Sequence, residues 1–476
     1  MKRLCPRAAA SKRCSGQITV WLSLSFLVFL SLYLVCLQSV QKQSARRQAE
    51  QAVESGLFSI FSEYEPHLLE NYDLFYLDTS FQSGTEQTDE ICSHLWKFID
   101  DNITGTTGNA LEGLTLQGVN VQDLVRATDG NGAVFYRQAV EVVKQKTGIS
   151  LAEEWILDDA FQTQIEENSS KFQEDCADFE GSVVDYGDEE EEQIEAEAFE
   201  WDGIWNHFAL SQAVKSSASL SDKAVDLSKV PSQRVLSVGT GSADGSEDGV
   251  QEKQLFISYL CNYMTNAQEA LSAEADASAS LNYQMEYILC GEASDRQNLE
   301  QTLRMLLLMR EGVNYAFLLS HSTYSEKAET LAYLLAGITM NEALIQSVKQ
   351  LILLGWAYGE SLVEVRQLLQ GYELAIVKGE SDWQVPLSGV LSLIGNPGRY
   401  DEQSVHQEGI SYETCLRIFL TMQSAQTLAM RSLDVIENEL QLEAECEKIH
   451  LDHCIEELTA QVWMNDIYME RIYQYE

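Results

Sequence analysis

From residue 18 to residue 37 the chain reads ITVWLSLSFLVFLSLYLVCL, twenty consecutive uncharged and mostly apolar positions. Twenty helical residues at 1.5 Å each match the hydrocarbon core of a bilayer, roughly 30 Å thick. A cleaved signal peptide usually has a shorter apolar core, about 7–15 residues, followed by a small-x-small pair. Gln38-Ser39-Val40 offers no such pair, so the run is expected to stay in place as a transmembrane helix. Beyond it Ala45, Ala49, Val53, Leu57, Ile60, Phe61, Tyr64 and Leu68 recur at spacings of three and four, with polar residues between them. That period predicts an amphipathic helix continuous with the span, over residues 18–64 and about 70 Å long, before Pro66 breaks it.

The pattern then becomes mixed. Leu74-Phe75-Tyr76-Leu77 and residues 119–127 read as strands. Asp129-Gly130-Asn131-Gly132 reads as a tight turn into a helix over 133–146 that Gly148 closes. Residues 255–369 are strongly helical. Ser294 and Gln297 form a capping box, and 328–340 and 343–358 are two further apolar-periodic segments. A last helix is expected over 412–436. Leu440, Leu442, Ala444 and Cys446, and again Leu458, Ala460, Val462 and Met464, alternate with polar or exposed-type residues. Period two predicts a C-terminal antiparallel sheet and an α+β fold.

Charge sharpens the topology. The first 47 residues hold eight of the 31 Lys and Arg and no acid, leaving 23 basic against 74 acidic residues, about −51, beyond them. Lys2, Arg3, Arg7, Lys12 and Arg13 precede the span and Lys42, Arg46 and Arg47 follow it, a bias that places the N-terminus in the cytoplasm and the bulk of the chain outside. So negative a surface repels nucleic acid and anionic headgroups, which excludes nucleic-acid partners. Thirteen acids and no base fall in residues 174–200, and a Ser- and Gly-rich stretch covers 216–249. The resulting division is a basic head over 1–17, the span over 18–37, an α+β unit near the membrane over 38–173, a linker over 174–252, a helical unit over 253–400, and a helix with strands over 401–476.

Candidate chemistry is sparse. Cys446, His450, His453 and Cys454 form the one metal-like group, but neither a single helix nor a strand wraps four ligands round a tetrahedral ion, so ordinary strand side chains or a disulfide are expected. Gly239-Thr240-Gly241 lacks dinucleotide-loop spacing, and the Asp244, Ser246, Asp248 echo of a calcium loop meets Leu255 where a glutamate is required. Seven cysteines beyond the span, an odd number without short Cys-x-x-Cys spacing, leave free thiols or an intermolecular bridge open. No catalytic, cofactor-binding or metal residues are assigned, and no enzyme is expected.

Three stretches carry a resemblance. RRQAEQAVESGLFSIFSEYEPHLLENYDLFYLD from Arg46, EYILCGEASDRQNLEQTLRMLLLMREGVN from Glu286 and WAYGESLVEVRQLL from Trp356 resemble an uncharacterised single-pass membrane-protein family of Gram-positive bacteria. Members of that family resemble components of tight-adherence (Tad, Flp) pilus gene clusters, TadE/TadG-like pseudopilins among them. The basic leader with Gly16 ahead of the span also resembles a type IV prepilin, but Trp21 stands where pilins usually carry glutamate. The resemblance implies a membrane-anchored accessory protein that works through contacts with pilus or secretion proteins, in a lipid bilayer and without a cofactor. The competing classes are an extracytoplasmic receptor or enzyme, for which His321, Arg366 and Asp382 would have to share a pocket, and an adhesin acting alone.

Overall fold

The computed structural model describes residues 15–104, 114–147, 167–171, 173, 210–215, 219–241, 249–272, 278–375, 378–390, 393, 397–400 and 409–475. In chain order the elements are α1 (Ser15–Phe61), α2 (Pro66–Tyr72), β1 (Leu77–Asp78), α3 (Thr88–Thr104), β2 (Leu116–Arg126) and α4 (Asp129–Thr147). The short α5 (Leu210–Ala213) precedes α6 (Val250–Tyr263), α7 (Ala267–Ser272), α8 (Gln284–Cys290), α9 (Asp295–Ser320), α10 (Ser322–Ala336) and α11 (Glu342–Leu369). Then come α12 (Tyr412–Met422), α13 (Ala425–Leu440), β3 (Cys454–Met464) and β4 (Ile467–Gln474). The sheet order is β1-β3-β2, with β4 also on β3; β3 runs antiparallel to β1 and to β4. The expected α+β class with C-terminal antiparallel strands is what the chain forms.

Two compact units result, each discontinuous in sequence. The first comprises Met1–Tyr64, Gln87–Leu124 and Glu457–Glu476. Its α1 is the one helix among the described residues long and apolar enough to cross a membrane. Side chains of residues 18–37 are exposed apart from a half-buried Ser25, whereas Ala49, Val53, Leu57, Ile60 and Phe61 are buried, as the three-four spacing requires. Ile91, Leu95, Ile99 and Ile103 form the matching stripe on α3. Gly56 lets the two helices approach closely, since a Cβ there would lie 2.6 Å from Ile99 Cγ1. The contiguous block 38–173 is not the unit formed, because the C-terminal hairpin covers the end of α1: the Phe61 ring packs on Tyr473 and Tyr475, and Tyr475 donates to the Phe61 carbonyl at 2.8 Å.

The second unit comprises Glu65–Glu86 and Val125–Glu456. The aromatic run 74–77 belongs here, not with Cys92, and only Leu77 and Asp78 join the sheet, against Ile455 and Cys454. Gly130, Asn131 and Gly132 all take positive φ (64°, 57°, 80°), the sharp turn that their composition predicts. Residues 440–446 are not a strand. Leu440 ends α13, residues 441–448 form local turns, and Leu442 is exposed, because no strand among the described residues lies alongside to pair with them. The single helix expected over 412–436 is two, since Ser424 starts a new one by accepting from Thr427 N.

Part of the expected linker is ordered in this unit. Within residues 219–241, Ser221 donates to the buried Asp295 carboxylate, and Ser232 donates to Asp434 through its amide (2.7 Å) and hydroxyl (2.6 Å). Arg234 pairs with both Glu437 and Asp452, and the amides of Ser237 and Gly239 donate to Asp452 and Asp129 at 2.8 Å. Apolar content underrates such a segment because buried carboxylates, not an apolar face, hold it in place. Residues 174–200, the short docking segment that Ile204-Trp205 suggests within the linker, and the Asp244–Asp248 echo lie outside the described residues.

Candidate partner-binding site

The long helices α9 and α11 are joined by buried charge. Arg310 on α9 donates to Glu364 on α11 through Nε (2.8 Å) and Nη2 (2.9 Å), a bidentate pair. Asn314 Nδ2 donates to Glu364 and to Ser361 Oγ, both at 2.8 Å. Lys378 donates to Glu364 at 2.5 Å and to Glu360 at 2.6 Å, and the Glu360 carboxylate also accepts from the amides of Gln384 and Val385. Two carboxylates and two cations balance, each almost fully buried. Burial pushes Glu364 up, but the Arg310 and Lys378 charges outweigh it and hold the carboxyl below its ordinary range. Burial, with the neighbouring Glu364, raises Glu360 instead.

An aromatic cluster continues this base. Phe317 stacks on Trp383 at 5.2 Å, Trp356 meets Trp383 edge-on at 5.5 Å, and both indole N–H groups donate to the Val385 carbonyl. From there α10 packs on α11 through a ridge of small residues, Ala332 and Ala336 in one cluster with Ile345 and Ile352, and Ala328 in another with Leu353, Leu354 and Trp356. Because the alanines take the inner face, the larger side chains of α10 stay outside. Leu334 is 80% exposed, and Ile338 and Met340 in the connecting turn are each 93% exposed, beside Tyr333 and Leu335. Met340 holds φ +52°, a left-handed conformation unusual for a bulky residue, and Asn341 Oδ1 restarts the helix by accepting from Ala343 N and Leu344 N. A groove of about 520 Å³ lined by Lys327, Thr330, Leu331, Leu334 and Leu387 adjoins this tip. Exposed apolar side chains grouped in this way make the tip a candidate interaction site.

A model of a family of unknown function, DUF5702, matches residues 187–466, more than half of the chain. The chain belongs to the DUF5702 family. No curated protein and no solved structure matches it. The matched region includes both long helices, the apolar tip and β3, and the family brings no assigned residue roles.

In this DUF5702 chain the residues singled out from sequence are dispersed. His321 ends α9 and its Nδ1 donates to the Phe317 carbonyl, Arg366 donates to the Val214 carbonyl, and Asp382 accepts from Gly379 N, so each holds a separate piece of backbone. Cys446 turns to Glu65, His450 to Glu437, His453 to Ser237 and Cys454 to the His450 carbonyl. The cysteines among the described residues are free thiols. Sequence reasoning expects a partner-binding face somewhere on the helical segment 294–369 but locates neither the charge network nor the tip within it; the α10 period of alanines at every fourth position was the one available signal.

Two consequences for stability follow from buried acids in this unit. Glu311 on α9 is fully buried, neither carboxyl oxygen has a hydrogen-bond partner among the described residues, and burial alone raises it well above the ordinary range. Glu311→Met is expected to stabilise by about 1–3 kcal/mol, read from the urea midpoint, since it removes an unmet desolvation cost. A loss of stability would contradict the assignment. Burial likewise pushes Glu286 to about 7 and Asp434 to about 6. Raised carboxyls favour the folded state while protonated, so their contribution is complete below the unfolded values near 4 and disappears as pH rises through about 6 and 7. The unfolding free energy should fall by on the order of several kcal/mol between about pH 4.5 and 7, read as a falling thermal midpoint, and Glu286→Gln should flatten that slope. Glu364, shifted downward, acts in the opposite sense only below about pH 4.3. A midpoint that rises across the upper window would overturn this account.

Proposed function

We propose that the protein is a single-pass, membrane-anchored accessory component of a Tad-type pilus or secretion system, with its N-terminus cytoplasmic and its acidic bulk extracytoplasmic. It acts by contact: the apolar tip between α10 and α11 docks on an uncharged apolar helix face of another protein. The observation that carries this reading is the tip itself, with Leu334, Ile338 and Met340 exposed above a rigid, charge-balanced base.

Charge favours that kind of partner. Residues 322–349 hold three acids and two lysines, nearly neutral in a chain of net charge −43, so electrostatics there neither attract a basic partner nor repel an apolar one. An anionic membrane surface is disfavoured for the same chain by its overall charge. The apolar, unburied residues 18–37 of α1 and the basic head support the anchor and its orientation, and the tight-adherence assignment rests on the sequence resemblance alone.

A crosslinked pull-down from intact membranes, with a C-terminal tag and mass spectrometry of partners and of the protein's own N-terminus, tests the proposal. Recovery of Tad-type pilins or secretion subunits with residues 1–16 intact supports an anchored accessory factor, and a new N-terminus at Gln17 makes it a processed pseudopilin. No pilus or secretion component above background contradicts the proposal and favours a receptor or a stand-alone adhesin.

A further inference from the structure

A second cluster in the larger unit has the chemistry of a metal site. Glu65 and His67 flank Pro66 at the start of α2, and Cys446 lies in the turns after α13. One donor atom from each lies within 4.8 Å of the others, and Cys446 Sγ is 3.4 Å from Glu65 Oε1. A second triplet, Glu437, His450 and Asp452, shows the same spacing, but Arg234 already pairs with both of its carboxylates. The first triplet has no such occupant. Glu65 is only 7% exposed, and the groups that meet its carboxylate are the neutral His67 amide at 3.3 Å and the Cys446 thiol. A buried carboxylate facing a thiol and an imidazole, with no paired Lys or Arg among the described residues, lacks the compensating charge that burial ordinarily demands.

We propose that Glu65, His67 and Cys446 bind one Zn²⁺ ion. With Zn–S near 2.3 Å and Zn–N and Zn–O near 2.0–2.2 Å, tetrahedral ligands stand roughly 3.3–3.6 Å apart, so the Sγ–Oε1 separation already fits. The His67 ring is partly exposed and rotates in by about an ångström to complete the set. Glu445, whose Oε2 lies 3.7 Å from His67 Nε2 and whose side chain is largely exposed, is the fourth donor, or else water takes that position. Binding replaces the thiol proton of Cys446 by the metal and releases it to solvent, leaving a thiolate-zinc bond. A thiolate, an imidazole and a carboxylate together suit Zn²⁺ over Mg²⁺ or Ca²⁺, which take all-oxygen sets. The ion would clip together segments 381 residues apart in sequence, tying the entry to α2 to the exit from α13.

The full-length protein, purified in detergent with a tag free of histidine, stripped with chelator and kept reduced, is titrated first with Co²⁺ and then with Zn²⁺. One Co²⁺ per chain should bind with a near-ultraviolet thiolate-to-cobalt charge-transfer band that Zn²⁺ abolishes, and Zn²⁺ should raise the thermal midpoint. Cys446→Ser should eliminate the band, and His67→Ala, at a partly exposed position expected to fold, should weaken binding at least tenfold. Cys454→Ser, which removes a buried thiol bonded to the His450 carbonyl, should keep the band. Absence of stoichiometric binding by the wild type, a band that persists in Cys446→Ser, or a band lost with Cys454→Ser but kept in Cys446→Ser would overturn the proposal.

Discussion

Glu364→Ala should lower the unfolding free energy of the helical unit by about 3–5 kcal/mol, the usual result of removing one partner from a buried ionic network. The alanine would leave the Arg310 fork without its bidentate acceptor, Lys378 with Glu360 alone, and the Asn314 amide without one of its two acceptors. Replacing both ends of the bidentate pair, as in Arg310→Met with Glu364→Leu, should be far milder, because the Lys378–Glu360 pair persists and no guanidinium is stranded. Urea unfolding followed by circular dichroism separates the cases. A single-variant loss below about 1 kcal/mol, or a double variant as damaged as the single one, would show that the network does not hold α9 against α11.

Leu334→Asp combined with Ile338→Asp should reduce partner capture from membranes at least tenfold while shifting stability by no more than about 0.5 kcal/mol. Both side chains point mostly into water, so the folded state loses little when they become charged. The interface, by contrast, would have to bury two carboxylates against an apolar surface. Leu442→Asp is the matched control, an exposed apolar residue in the turns after α13 and outside the tip, and should leave capture unchanged. Equal losses from the control and the tip variant would mean that added charge, not the tip, governs capture.

Much of the fold was legible because period alone encodes it. The buried stripe on α1, the left-handed turn at Gly130 to Gly132, the Ser294 cap and the alternation of Leu458 to Met464 each follow from local spacing. The same rule misled at Leu440 to Cys446, where alternation has no partner strand, and a strand exists only as a pair. Residues 219–241 misled differently, since a polar segment is ordered there by carboxylates up to 218 positions away.

The site was less legible for a related reason. Arg310, Glu360 and Glu364 look like ordinary helix-surface charges among 74 acids and 31 bases, and nothing local tells that Lys378 closes on them. On α10 the leucines would be expected inside and the alanines neutral, yet Ala328, Ala332 and Ala336 are buried and Leu334 is not, which only the packing against α11 decides.

The most direct test of the central claim is photocrosslinking from position 338 in intact membranes, with position 442 as reference. A photoreactive residue in place of Ile338 should give a discrete protein adduct that disappears when Leu334→Asp is added, while position 442 gives none. Adducts to lipid alone, or the same protein pattern from both positions, would contradict a protein-docking tip.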